Sequence, residues 1–166
     1  MKMKKLMWFA CLFGAIILFW GCPYSSDVPL GPAIEKLRPE LIGSWVPEGE
    51  SASAHPSYYT ISKYDSVRYE VSHFQFQDES QDYSTKNYVG HTSYIEGFLF
   101  MNLVESGTKQ YLIHRIDLTP SGFVLFEVTD NIDERFDSSA DMQAFFKKNM
   151  RASFFYNKDE VSLIRK

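Results

Sequence analysis

The sequence predicts a mainly β domain, an antiparallel β-barrel with one helix near its C-terminal end. Three observations carry that expectation. From Leu41 onward the apolar residues recur with a period of about two rather than the helical ~3.6, and clusters of turn-forming residues divide the chain at strand-length intervals. One stretch, 138–150, breaks this pattern with a helical one.

The elements follow in order. A short strand is expected over 58–64. Val67, Tyr69, Val71 and His73 then alternate with Arg68, Glu70 and Ser72, after which the apolar set changes face to Phe74 and Phe76. One extra residue in a strand does this, so a β-bulge is expected near His73. Residues 92–105 are the longest strand candidate, apolar on both faces, with Gly97 where a barrel strand would bend. Leu112, His114, Ile116 and Leu118 alternate with Tyr111, Ile113, Arg115 and Asp117; Thr119-Pro120-Ser121-Gly122 is a turn, and 123–129 the returning strand. Residues 153–156 and 161–165 read as two short strands joined by a hairpin turn at Asn157-Lys158-Asp159-Glu160. For the helix, Ser138 or Ser139 serves as N-cap, Asp141 places negative charge in the first turn, and Lys147 and Lys148 suit the C-terminal end. Met142, Phe145, Phe146 and Met150 share one face. That stripe suits packing on the outside or end of the barrel; the alternative is a lid over a binding cavity.

The N-terminal part has a different character. Lys2, Lys4 and Lys5 precede an uninterrupted apolar run, 6–20, followed by Gly21 and Cys22. Charge, apolar core and small residue in that order make a secretory signal peptide. The cysteine directly after Gly21 resembles the lipobox of bacterial lipoproteins, with Phe19 and Trp20 where that family places Leu and a small residue. The resemblance implies cleavage after Gly21, lipid on Cys22 and a place in the cell envelope outside the cytoplasm, at the outer membrane in a Gram-negative host. The competing reading is an uncleaved membrane-spanning helix. Residues 1–21 are thus the expected leader, 22–40 a lipidated, proline-rich tether and 41–166 the barrel domain. Pro23, Pro29, Pro32 and Pro39 make the tether stiff, able to hold the domain ~55 Å from the membrane if fully stretched. A short helical turn is expected at 33–38, with Pro32 its start and Pro39 its stop.

Cleavage leaves 145 of 166 residues, enough for one domain. The loss of three lysines moves the net charge from −4 to −7. An acidic surface argues against nucleic acid and against adsorption to anionic lipid, and suits a basic protein partner. Cys11 lies in the leader and Cys22 takes the lipid, so no thiol remains for a disulfide and apolar burial must hold the domain. Trp45 is the one tryptophan beyond the leader.

Leu41-Ile42-Gly43-Ser44-Trp45, where the tether meets the first strand, resembles the Gly-x-Trp start of the calycins, the lipocalins and their small bacterial lipocalin-like relatives. The resemblance spans roughly 41–165. It implies an up-and-down barrel, Gly43 and Trp45 at its closed base, and an arginine from a late strand beside the tryptophan, here Arg165. One feature departs from the family: two strands are expected after the helix.

Residues with catalytic spacing are missing. The chain has no Gly-x-Ser-x-Gly, no His-Glu-x-x-His, no phosphate loop and no cysteine pair for zinc. His55, His73, His91 and His114 lack metal-ligand spacing. His114, alternating with Leu112 and Ile116, is expected inside the barrel as a hydrogen-bonded core or pocket histidine. The acidic stretches 78–82 and 127–141 read as solvated loops without calcium-binding spacing. Glu105-Ser106-Gly107-Thr108-Lys109-Gln110-Tyr111 is similar to the Ser-Gly loop of lysozyme-inhibitor lipoproteins without its second glycine, and a hairpin turn also accounts for it. No catalytic residue, metal or cofactor is expected. The expected function is a non-enzymatic binding module for a small apolar or amphipathic ligand; the alternative is an interaction or inhibitor protein that meets a basic partner.

Overall fold

A computed structural model describes residues 24–158 and 160–166; the expected leader and Cys22 lie outside the described residues. Among the described residues nine strands form: β1 (Ser25–Ser26), β2 (Gly43–Pro47), β3 (Tyr58–Lys63), β4 (Arg68–Gln77), β5 (Asp82–Ile95), β6 (Phe98–Glu105), β7 (Tyr111–Leu118), β8 (Gly122–Glu127) and β9 (Val161–Arg165), with an α-helix, α1 (Ser139–Asn149), before β9. Strands β2 to β9 pair antiparallel with their neighbours in sequence, and β9 returns to β2, closing an eight-stranded up-and-down barrel. Closure leaves no strand edge among these eight, so every strand has a partner on both sides.

Several elements differ from the expectation. Residues 92–105 are not one strand. The chain reverses at Glu96-Gly97 between the paired Ile95 and Phe98, and both turn residues have positive φ, +49° and +85°. A two-residue turn of this hand matches the right-handed twist of its strands. The longest strand is β5, whose polar first half carries no strand expectation from the sequence. Those residues pair with the far half of β4, with Gln77 donating to Ser84 Oγ and Ser72 to Asn87 Oδ1. No bulge occurs at His73, since β4 pairs without interruption against both β3 and β5. Phe74 and Phe76 instead face outward, where Phe74 stacks on Tyr58, and Phe76 stacks on His55 and meets the edge of Tyr83. After the helix there is one strand, not two: of 153–156 only Tyr156 bridges, to Val128.

Apolar character on both faces of β5 and β6 has a simple origin, because two cores meet across that wall. Inside the barrel lie Leu41, Trp45, Ile61, Tyr69, Val71, Leu99, Met101, Ile116, Phe123 and Leu163. Outside, Ile95, Phe100 and Ile113 are covered by Leu30 and by the helix residues Met142 and Phe146, with Met150 and Phe155 just beyond. Helix α1 begins at Ser138, whose Oγ accepts from Asp141 N–H at 3.2 Å. It packs on the outer wall and is not a lid.

The described part of the expected tether is also packed. Ser25 and Ser26 pair with Leu112 and Tyr111, and Leu30 is fully buried. Because prolines prevent a regular ladder, barrel and helix side chains satisfy the backbone of this strap. Leu30 N–H donates to Asn102 Oδ1 (2.7 Å), Gly31 O lies 2.7 Å from His91 Nε2, and Gln143 and Ser139 donate to the carbonyls of Leu30 and Pro29. The helical turn falls at Pro39–Leu41 rather than 33–38. Proline suits the first position of such a turn and holds the preceding residue extended, as Arg38 is.

Candidate functional site: the barrel interior

The two ends of the barrel differ. At the base, Trp45 is 2% exposed and its indole N–H donates to Leu41 O at 2.8 Å. Phe123 meets it edge to face at 4.8 Å between centroids, and the Arg165 guanidinium lies 4.1 Å from its ring centre. Arg165 also donates to Ile42 O at 2.7 Å. Gly43 makes room for it. With φ +146°, a Cβ at this position would stand 1.8 Å from the guanidinium nitrogen. The structure therefore places Gly43, Trp45 and Arg165 together; Cys22 lies outside the described residues.

Toward the opposite end, where β3, β5, β7 and β9 begin, the interior holds a cavity of about 350 Å³. Its floor is apolar, formed by Ile61, Val71, Met101, Ile116, Phe123 and Leu163. Its upper wall carries polar groups, Tyr59, His73, Lys86, Tyr88, Glu105, His114 and Glu127, among Leu103, Leu112 and Leu125. The pairing register explains the grouping: Tyr59 lies opposite His73, His73 opposite Lys86, Tyr88 opposite Glu105 and His114 opposite Glu127, and residues directly opposite share a face. Tyr59 and His73 stack at 4.2 Å.

The protonation states follow from burial and near charges. Burial pushes the His114 imidazole down to about 4, and its Nδ1 is buried with no partner among the described residues. His73 is lowered by burial first and then by Lys86, so both imidazoles are neutral at pH 7. Burial raises the Tyr59 hydroxyl to about 12, with smaller contributions from Tyr88, Glu50 and Glu127. Tyr88 is raised by burial and by Glu105. Glu127 keeps its carboxylate in place by accepting from Asn157 Nδ2 at 2.7 Å.

His114 is thus inside the barrel, in line with its alternation, but its Nδ1 has no hydrogen-bond partner among the described residues. His91 lies outside, under the strap, and His55 on the outer aromatic cluster. Among the described residues no three His, Cys, Asp or Glu side chains are grouped to hold a metal ion. No described helix is long and apolar enough to cross a membrane. Sequence reasoning missed Tyr59, Tyr88, Lys86, Glu105 and Glu127 as cavity residues. For Glu127 a signal existed, since it continues the inward series Phe123 and Leu125. Comparison of the chain with protein-family models, with curated proteins and with solved structures finds no match.

Proposed function

We propose that this protein is a non-enzymatic binding module, anchored in the cell envelope through Cys22, whose barrel takes a small apolar or amphipathic molecule into its interior. The observation that carries the reading is the cavity, apolar in its depth and polar at its mouth, in a barrel plugged at the other end by Trp45. Its volume lies at the lower end of the ~300–1,000 Å³ range of small-molecule sites. The Gly43-Ser44-Trp45 start and the Arg165 contact support a calycin relationship.

Titration with n-octanol tests the site by calorimetry. Saturable binding to wild type, abolished when Leu103→Phe and Leu125→Phe together fill the cavity, is the expected result. Binding unaffected by that filling would refute an interior site. The anchor is tested separately: Cys22→Ala should abolish labelling by a fatty-acid analogue, and equal labelling of both forms would refute it. Since the chain is docked from Tyr24, such an anchor would hold the barrel close to the bilayer, with Pro23 the only residue between.

A second reading, a basic protein partner, draws support from the open end. The acidic turn 78–82 and the acidic segment after β8 both leave the barrel at that end, as do Glu48 and Glu50 after β2.

A further inference from the structure

The cavity reading leaves the ligand's polar group open, and the charges at the mouth bear on it. Glu105 and Glu127 line the cavity and are half-buried, whereas Lys86, the one cation lining it, is exposed. No ion pair joins Lys86 to either carboxylate among the described residues. A second hollow, sharing Tyr59 and His73 with the cavity, adds Glu48, Glu50 and Glu160 at its rim. Asn157 occupies one hydrogen-bonding position of Glu127, and an ionised carboxylate has about four. The buried Nδ1 of His114, on the neighbouring strand opposite Glu127, has no partner among the described residues. The cavity is lined further by the rings of Tyr59 and Tyr88 and by Leu103, Leu112 and Leu125.

Two half-buried carboxylates, neutral imidazoles and two phenol rings form a surface of acceptors and π-faces. An ammonium is attracted to each of these groups. A carboxylate entering the same mouth would meet two like charges, and its one cationic partner stands out in water, where attraction is screened. We propose that the ligand of this cavity is an amine with an apolar tail, its ammonium drawn to the Glu105 and Glu127 carboxylates that line the mouth while the tail fills the floor. This rests on the interior-site reading and deepens it.

The test compares n-octylammonium, n-octanoate and n-octanol by calorimetry at neutral pH and low salt, on wild type and on a Glu105→Gln/Glu127→Gln double variant. Glutamine keeps the size of the side chain and, at 127, the Asn157 contact. Octylammonium should bind wild type about tenfold tighter than octanoate, equivalent to ~1.4 kcal/mol. In the double variant that advantage should vanish, while a far-UV circular dichroism spectrum matching wild type reports an intact barrel. Octanoate binding as tightly as octylammonium, or an amine preference that survives the double variant, would overturn the amine assignment and leave the cavity standing. Failure of all three probes on wild type would remove the interior site itself, and the amine assignment with it.

Discussion

Truncating Trp45 probes the closed base more directly than any other change. The side chain is 2% exposed, so Trp45→Ala empties a large volume; the usual range for such a truncation is ~3–5 kcal/mol. Three particular interactions place the expectation toward the upper part of that range. Leu41 O loses its donor, Phe123 loses its edge-to-face partner, and Arg165 loses the ring beneath it. A buried carbonyl left unpaired is worth ~1–3 kcal/mol, but these contributions overlap and do not add. A loss of ~4 kcal/mol is a large fraction of the ~5–15 kcal/mol that holds a domain together. Arg165 is exposed, so Arg165→Ala should cost only about 1 kcal/mol, and the double-mutant cycle should give a coupling of ~0.5–1 kcal/mol. The assay is urea unfolding of a chain beginning at Tyr24, which keeps every described element and leaves Trp45 as the sole tryptophan. Its emission should be blue-shifted, poorly quenched by iodide and move red on unfolding. Red, readily quenched emission together with an alanine variant as stable as wild type would refute the plug.

Three further outcomes are expected. Gly43→Ala should destabilise by ~2 kcal/mol or more, since it strains a positive φ and drives a Cβ into Arg165. Adding Arg165→Ala should recover part of that loss in the same unfolding assay. Because burial lowers His114 from 6.5 to about 4, the unfolded chain binds a proton that the folded chain refuses. Stability is therefore full above pH ~6.5 and falls as the pH drops toward 4, by roughly 3 kcal/mol from this group. His114→Leu should flatten that part of the pH–stability curve. Asn102→Ala should cost ~1–3 kcal/mol by leaving the buried Leu30 N–H without an acceptor, and should speed hydrogen exchange at that amide. Unchanged exchange would mean that the strap is not held as described.

Strand character, the alternation of β7 and of β4 up to His73, the capped helix and the special place of Trp45 were all legible in the sequence. Each depends on neighbours a few residues apart: alternation with period two, a serine before an apolar stripe, a glycine two positions before a tryptophan. What failed in the sequence was whatever depended on which elements come to lie side by side. The first half of β5 gives no strand signal, since its polar side chains suit a strand only once β4 lies beside it. A proline-rich segment looks like a tether until Asn102, His91 and Gln143 supply the hydrogen bonds that its own backbone cannot make. Phe74 and Phe76 suggested a bulge because an apolar residue on the outer face has no local explanation; Tyr58, His55 and Tyr83 provide it. The cavity is the extreme case. Tyr59, Lys86, Glu105 and Glu127 come from four strands and carry no shared spacing, so only barrel closure, which brings β9 back to β2, makes them one site. Local periodicity thus indicated much of which residues point in and which point out, while the choice of what meets what inside belonged to the tertiary structure, because closure is set by contacts more than a hundred residues apart, such as Arg165 with Ile42.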